Sequence, residues 1–288
     1  MGKPANTNLV IWIGGKSFIA DWIVSFFPPH RVYVEVFGGG ASVLFAKEPS
    51  DVEVYNDING DLVNFFKVLR DRTDELKQYL DLTPMSRQLF YEAKEMLKEG
   101  KCRDEVERAA LFLYVNCISV NGVGGFSSRV SATRLSTAKR LRGKVDMLYE
   151  YAERFKEVII ENLDFKQVIK QYDGEDTLFY VDPPYMFSKK LHTKSEGRDY
   201  YGTGWGWTKH VELADMLKNI RGKFVLSYYP YSDVYTLYPQ KDFHYETKEV
   251  VRFSVKVNKG FSKPKATELL IMNFDPKEEK RGLEQWFR

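Results

Sequence analysis

Short apolar stretches rich in β-branched residues alternate with longer stretches of helical periodicity along this chain. Residues 31–40 form such an apolar stretch that runs into three glycines, and residues 51–57 form a second. Both are typical of buried strands, the first of them entering a tight turn. The same criteria predict strands at 157–165, 176–182 and 223–228, and helices from about residue 41 and over 61–80 and 208–220. Strands that alternate with helices predict an α/β fold with a three-layer sheet.

The middle of the chain has helical periodicity throughout, apart from a Gly/Ser-rich stretch at 121–132. Near the C-terminus, two strand patterns at 245–257 and 266–274 predict a β-hairpin. We therefore expect a core built from two parts of the chain, with a helical insertion between them. The predicted boundaries are 1–83 for the first part of the core, 84–156 for the insertion and 157–288 for the second part.

The composition is that of a soluble globular protein, with 43% hydrophobic and 29% charged residues among 288. The two cysteines, Cys102 and Cys117, support neither a disulfide framework nor a zinc site, and the four scattered histidines lack metal-ligand spacing. We expect no metal. No apolar run approaches the roughly 20 residues that span a bilayer. The first residues lack the apolar core of a signal peptide, so we expect a cytoplasmic protein without a membrane partner.

The formal net charge of +3 is too small to indicate a polyanionic partner, but the cations are clustered. Six Lys/Arg and no acid lie between Arg129 and Lys144, and five with no acid lie between Arg252 and Lys265. Such runs can neutralise phosphates. Each run, taken alone, is better explained as a solvated helix face or hairpin edge.

The stretch "WIGGKS" at 12–17 ends like a phosphate-binding P-loop. The first glycine of that motif would be residue 10, which is Val10. The phosphate cradle is therefore incomplete, which disfavours a P-loop nucleotidase.

A second glycine stretch, "FGGGAS" at 37–42, lies where a strand should meet a helix, a position that favours anionic ligands. A dinucleotide fingerprint starting at Gly38 would need a small residue at 43, where Val43 stands. Asp57 ends the next strand, about 20 residues after the glycines, and an acid there can accept hydrogen bonds from a ribose. The alternative role for Asp57 is an N-cap of the following helix. Together, the turn and the acid favour an adenosine-containing cofactor.

The sequence "DPPY" at 182–185 closes the most apolar strand of the second half. A strand stop and turn would be the ordinary explanation. However, ligands bind beyond the carboxyl ends of strands in such sheets. Two prolines remove two backbone donors, so carbonyls and the Asp182 carboxylate form an acceptor-only surface suited to an amino group. Tyr185 adds a ring that can stack on a planar base.

The order of a glycine turn, a long insertion and then "DPPY" resembles the Dam-like, D12-class adenine-N6 DNA methyltransferases. "WIGGKS", "NDIN" (56–59), "ENLDF" (161–165) and "KATELLIMNF" (265–274) resemble further elements of that family in the right order. The resemblance covers most of the chain. It implies a Rossmann-like methyltransferase sheet, S-adenosylmethionine as cofactor and double-stranded DNA as partner, in some members with a cognate restriction endonuclease.

The resemblance also implies roles for individual residues. The implied cofactor-binding residues are Trp12, Lys16, Phe37, Gly38, Gly40, Asp57, Asp164, Phe165 and Asp182. In this set the first two border the methionine end, the glycines form the turn, and Asp57 holds the ribose. Asp164 and Phe165 meet the adenine of the cofactor. The implied catalytic residues, which hold the target adenine, are Asp182, Pro183, Pro184 and Tyr185.

In the family the insertion carries the helices that recognise the target. The predicted DNA-binding residues are Asn121, Arg129, Arg134, Lys139, Arg140, Lys189 and Lys190. The last two belong to the segment 186–207, which fits a loop that orders over DNA and equally a surface loop without a role. Members of the family often have an Arg where this chain has Cys117, so the recognition sequence does not carry over.

Several alternatives stay open at this point. Methylation of cytosine N4 or of RNA adenine uses the same chemistry, and a non-catalytic nucleic-acid-binding relative would have the same fold. A nicotinamide enzyme is disfavoured by the broken glycine fingerprint. A protein-glutamine methyltransferase is disfavoured by Asp182, because Asn more often precedes the prolines there. Cytosine C5 methylation needs a cysteine nucleophile that neither Cys102 nor Cys117 resembles in context.

Overall fold

The structure of the chain is a computed structural model that describes residues 4, 8–127, 137–185, 205–251 and 265–279. The chain divides into two compact units. The first unit comprises Met1–Val24 and Gly38–Leu163, and the second comprises Ser25–Phe37 and Asp164–Arg288.

The described residues contain seven strands and eleven α-helices. In chain order they are α1 (Ala20–Val24), β1 (Val32–Glu35), α2 (Ser42–Ala46), β2 (Val52–Asn56), α3 (Gly60–Asp71), α4 (Thr73–Leu82), α5 (Arg87–Glu99), α6 (Glu105–Ile118), α7 (Thr137–Asp146), α8 (Leu148–Phe155), β3 (Ile159–Glu161), α9 (Phe165–Tyr172), β4 (Thr177–Val181), α10 (Trp207–Leu217), β5 (Lys223–Tyr228), α11 (Ser232–Leu237), β6 (His244–Val251) and β7 (Lys265–Met272). A short 3₁₀ helix, Val120–Gly122, follows α6.

In the first unit, β2 and β3 pair in parallel, with Val54 opposite Ile159. Helices α3 to α8 pack mainly on one another, α6 against α3, α4 and α5. A cluster of buried rings fills the space beside β2, and Phe66 and Phe155 stack at 4.7 Å between ring centroids. The helical periodicity predicted for 84–156 is confirmed in α5–α8. The boundary at residue 84 stays a prediction, because these helices belong to the same compact unit as α3 and α4.

In the second unit, β1, β4 and β5 pair in parallel, and β7 joins β5 antiparallel. β6 pairs with β7 antiparallel, so the order is β1-β4-β5-β7-β6. All five residues of β4 are buried, as expected for a parallel strand covered on both faces. The α/β class and the C-terminal antiparallel pair of strands are thereby confirmed.

Three local predictions differ from the structure. The helix predicted over 61–80 is two helices, because Arg72 leaves the helical region between Asp71 and Thr73, with φ −138°. The strand predicted over 157–165 ends at Glu161. Asp164 instead caps α9 in a capping box with Gln167, a D-x-x-Q signal that a reading of the apolar residues alone does not detect. Helices α1 and α11 were not predicted, since five or six residues are too short for a periodic signal.

A buried group of charges joins α2, β2 and α8 in the first unit. Glu53 lies 2.5 Å from both the Lys47 ammonium and the Arg154 guanidinium, and all three side chains are at most 6% exposed. Arg154 also donates to the Leu44 carbonyl at 2.9 Å. Removing one member of such a group leaves uncompensated charge in the interior, which costs about 3–5 kcal/mol.

We therefore expect Glu53→Gln to lower the free energy of unfolding by about 3–5 kcal/mol, because two buried cations lose their carboxylate. Urea denaturation measures this change. The matched control is Glu75→Gln, which breaks the exposed pair with Arg72 and should change stability little. Equal stabilities of the two variants would contradict the assignment.

Candidate functional site

The first cluster of the candidate site is the glycine turn that follows β1. Gly38 donates its amide to the Asn56 carbonyl at 2.8 Å, and Ala41 returns a hydrogen bond to the Gly38 carbonyl at 2.8 Å. A Cβ atom on Gly38 would lie 2.2 Å from the Tyr55 ring. A Cβ on Gly39, which has φ +49°, would lie 2.7 Å from the Trp12 indole. The backbone therefore packs directly on two aromatic side chains, and only glycine permits this approach.

The Asp57 carboxylate fixes this turn. Its Oδ2 accepts from the Gly39 amide and its Oδ1 from the Asn59 amide, each at 2.8 Å. The Tyr55 hydroxyl donates to the Gly39 carbonyl at 2.8 Å. The N-cap of α3 is Asn59, whose side chain accepts from Asp61 and Leu62. The alternative of a helix cap at Asp57 is thus wrong, and the carboxylate instead joins two loops.

The environment of Asp57 is unusual for a carboxylate. Burial raises its pKa, and the hydrogen bonds from the backbone amides of Asn59 and Gly39 partly offset that shift. An ionised carboxylate has about four acceptor sites on its two oxygens. The amides of Gly39, Asn59 and Ile58 use about three of them, which leaves room for about one further hydrogen bond from a ligand.

A third loop, which follows β3, is hydrogen-bonded to the end of β2 and to Asp57. The Asn162 amide donates to the Asp57 carbonyl at 2.7 Å. Asn56 exchanges two hydrogen bonds with Leu163, at 3.1 and 2.9 Å. Sequence reasoning did not single out Asn56 or Asn162, although the stretches "NDIN" and "ENLDF" contain them.

The stretch 12–16 contributes Trp12 and Lys16 to the first unit. The Trp12 indole lies against Gly39, as the distance from a Cβ there shows. The Lys16 ammonium donates to the Gly14 carbonyl at 2.8 Å, and the residue is 6% exposed. A tight turn with Gly14 at φ 78° brings the lysine back onto its own loop.

The second unit contains an aromatic cluster formed by Phe37, Phe165 and Trp205. The Trp205 ring lies edge-on to both phenylalanines, at 5.1 Å from Phe37 and 5.2 Å from Phe165 between centroids. The two phenylalanine rings are 6.0 Å apart. The sequence predicts Trp205 only as part of a loop, and its position two residues before α10 carries no signal of this contact. Asp164 has a structural role as the cap of α9.

His210 supports Trp205 from α10. Its Nδ1 accepts from the Trp205 indole N–H at 3.3 Å and contacts the Tyr228 hydroxyl at 2.5 Å. Because an indole nitrogen can only donate, this Nδ1 carries no proton. Burial lowers the pKa of His210 to about 3, so the ring is neutral at physiological pH. His210 therefore orients the aromatic side chains rather than exchanging protons.

Residues 182–185 directly follow β4 in the second unit. The Tyr185 hydroxyl lies 2.9 Å from Ser227 Oγ and donates to Glu268. The ring is 4.6 Å from Tyr229, nearly perpendicular to it. Burial raises the pKa of Tyr185 well above its ordinary value, and the Asp182 charge raises it further. Tyr185 is therefore a neutral hydrogen-bond donor anchored at its hydroxyl end.

Part of the basic run at 129–144 serves the fold. Arg140 donates to the Cys117 carbonyl in the last turn of α6. Arg142 donates to the carbonyls of Leu80 and Thr83 at the end of α4, at 2.7 and 2.6 Å. Such cations satisfy carbonyls that lack helical partners. Lys139, by contrast, is exposed.

The other predicted DNA-binding residues are not placed by the structure. Arg129, Arg134, Lys189 and Lys190 lie outside the described residues, as does the side chain of Asn121. Most of the segment 186–207 and of the basic run after Arg252 lies outside them too. Within the described ranges, no group of three or more His, Cys, Asp or Glu side chains could hold a metal ion. No described helix is both long and apolar enough to cross a bilayer.

A family model described as D12 class N6 adenine-specific DNA methyltransferase matches residues 12–253. The chain belongs to this family. The match includes the glycine turn, Asp57 and the residues 182–185, and it ends before β7. The chain is therefore a DNA adenine methyltransferase, as the order of its motifs predicts. The nicotinamide and P-loop alternatives are excluded by this assignment.

Curated relatives agree with the family. A type II methyltransferase of Lactococcus lactis subsp. cremoris, M1.LlaDCHI, is 27% identical over 278 residues, which are 91% of this chain and 94% of the relative. A DNA adenine methylase of Salmonella typhi is 27% identical over 221 residues, covering 75% and 77% of the two chains. One from Haemophilus influenzae is 26% identical over 216 residues, covering 73% of each.

Alanine substitutions at two glycines of this methyltransferase, one in the glycine turn and one in α7, should change the stability in opposite directions. We expect Gly38→Ala to destabilise the fold by about 1–3 kcal/mol, because the new methyl group overlaps the buried Tyr55 ring. Gly143→Ala, in α7 with open space around it, should stabilise by about 0.5–1 kcal/mol. Thermal unfolding of both variants measures the difference. A Gly38→Ala variant as stable as the wild type would contradict the described packing.

Proposed function

We propose that the methyl donor is S-adenosylmethionine and that the loops around Asp57 bind its polar part. The remaining acceptor capacity of the Asp57 carboxylate suits a hydroxyl group of a ribose. The amides of Gly38 and Gly39 are already used inside the protein, so the turn contributes shape rather than donors. Lys16, with an ammonium group, can pair with the carboxylate of the methionine part, beside Trp12.

The aromatic residues Phe37 and Phe165 are proposed to hold the adenine ring of the donor. Aromatic side chains bind planar bases by stacking, worth about 1–3 kcal/mol per base. Trp205 extends this aromatic surface, and His210 fixes its indole. Asp164 is proposed to accept from the adenine amino group, next to the phenylalanine that it precedes.

The residues 182–185 are proposed to hold the target adenine. The Asp182 carboxylate and the Pro183 carbonyl can each accept one hydrogen of the N6 amino group. Neither proline has an N–H that would compete, and Pro183 is buried, so the segment is a rigid acceptor. Tyr185 offers its ring for stacking. The observation that carries this proposal is the placement of an acceptor-only segment directly after the fully buried β4.

Methyl transfer to the adenine N6 requires few protein groups beyond these hydrogen-bond acceptors. The N6 lone pair is delocalised into the purine ring, and two hydrogen bonds to acceptors increase electron density on the nitrogen. S-adenosylmethionine supplies a methyl group on a sulfonium, which is an activated leaving group. Correct positioning of the amine then provides much of the rate enhancement. Neither cysteine resembles the activated nucleophile that a covalent intermediate on a base would need, since burial raises the thiol pKa of both Cys102 and Cys117.

Double-stranded DNA presents its adenines inside the base stack. The target nucleotide must therefore be extruded, at a cost of a few kcal/mol. Exposed cations such as Lys139 are proposed to bind phosphates. A partner restriction endonuclease and a cytoplasmic location stay predictions from the sequence.

The direct test is methyl transfer from labelled S-adenosylmethionine to unmethylated genomic DNA, with mass analysis of the nucleosides. We expect N6-methyladenine with the wild type and a loss of about 10²-fold or more with Asp182→Asn, because the amine loses its charged acceptor. Asp215→Asn, an exposed acid in α10, is the matched control and should transfer normally. Label in N4-methylcytosine, in RNA only, or undiminished transfer by Asp182→Asn would overturn the proposal.

A further inference from the structure

We infer that Glu268 and Ser227 are positioning residues for the target base, and that they act by holding the Tyr185 ring through its hydroxyl. The inference rests on the proposed role of Tyr185 as a stacking surface. It concerns β5 and β7, the latter beyond the residues that the family model matches.

The three side chains form a triangle of polar contacts in the second unit, with Glu268 as the shared acceptor. The Tyr185 hydroxyl contacts both Ser227 Oγ, at 2.9 Å, and Glu268 Oε1. Ser227 Oγ donates to the same Glu268 oxygen at 2.6 Å. Ser227 lies opposite Leu270 in the β5–β7 pairing, so Glu268, two residues earlier in β7, points to the same face. The strand pairing itself thus places the carboxylate beside the serine.

The position of Glu268 is costly for a carboxylate. It is 3% exposed and is followed by four buried apolar residues, Leu269 to Met272, while Ser227 is fully buried. A buried charge is tolerated only when hydrogen bonds replace its hydration. Two hydroxyl donors on one carboxylate oxygen supply such bonds, which are the stronger, charge-assisted kind. The raised pKa of Tyr185 keeps its hydroxyl protonated for this purpose.

Anchoring the hydroxyl fixes the direction of the ring axis, and the neighbouring tyrosine rings restrict rotation about it. The backbone holds Tyr185 at one end, and Glu268 with Ser227 holds it at the other. Tyr229 lies nearly perpendicular to the ring at 4.6 Å, and Tyr228 lies at 5.5 Å with a tilt of 40°. A ring held in one orientation can stack on an extruded base without losing further freedom on binding. Loss of the anchor should therefore impair the alignment of the base rather than cofactor binding.

The test compares Tyr185→Phe, Glu268→Gln and the double variant. Tyr185→Phe keeps the ring and removes the anchored hydroxyl; Glu268→Gln keeps the shape and removes the charge. We expect each to lower kcat/KM for DNA by roughly 10-fold to 10²-fold, with an unchanged dissociation constant for S-adenosylmethionine. The double variant should lose no more than the worse single variant, because both changes break one network. Glu249→Gln, an exposed acid on β6 paired with Lys265, is the control.

A spectroscopic signal separates positioning from general destabilisation. In a duplex with 2-aminopurine at the adenine that the wild type methylates, stacking on Tyr185 should quench the extruded base. Tyr185→Phe and Glu268→Gln should both give brighter fluorescence at saturating protein. Additive losses, or wild-type kinetics and quenching in a folded Tyr185→Phe variant, would overturn the inference even if Glu268→Gln fails to fold. Absence of methyl transfer by the wild type would instead defeat the proposed function on which the inference rests.

Discussion

The first unit is organised around one buried carboxylate, that of Asp57. Three loops meet at this residue: the glycine turn through the Gly39 amide, its own loop through the Asn59 amide, and the loop after β3 through Asn162. Burial raises the pKa of Asp57, so ionisation in the folded state is tolerated only with these donors. The pKa of Asp57 is higher in the folded protein than in the unfolded chain, so the unfolded chain loses this proton first as pH rises. The free energy of unfolding therefore falls as pH rises from the unfolded pKa to the folded pKa. A ligand hydroxyl that donates to the carboxylate would remove part of this cost.

The second unit is organised around neutral aromatic groups. Tyr185 and Tyr228 stay protonated because burial and nearby carboxylates raise their pKa values, and His210 stays neutral because burial lowers its pKa. The Asp182 charge thus acts on two phenols, those of Tyr185 and Tyr228, that stay neutral near neutral pH. Such a setting suits a reaction that depends on hydrogen bonding and alignment more than on proton transfer by a side chain.

Features that depend on residues close together in the sequence could be predicted, whereas contacts between residues far apart in the sequence could not. The buried strands β1, β2, β4 and β5 were predictable, because their apolar patterns are local. The proximity of the glycine turn to Asp57 was also predictable, because the two lie at the ends of consecutive strands in a strand–turn–helix unit. Trp205 and the Tyr185–Ser227–Glu268 triangle were not, because residues 42 and 83 positions apart meet only once β5 and β7 are paired. Arg140 stays a predicted phosphate ligand, but its hydrogen bond to the Cys117 carbonyl, 23 residues away, could not be predicted from the sequence.

The central claim is that the Asp57 carboxylate is the anchor for the methyl donor. Calorimetric titration of S-adenosylmethionine into wild type and Asp57→Asn tests it most directly, with Asp61→Asn, a half-buried acid paired with Arg108, as the control. Loss of charge-assisted hydrogen bonds worth about 1.5–3 kcal/mol should weaken binding roughly 10-fold to 150-fold in a folded Asp57→Asn variant. Equal dissociation constants for the wild type and a folded Asp57→Asn variant would contradict the account.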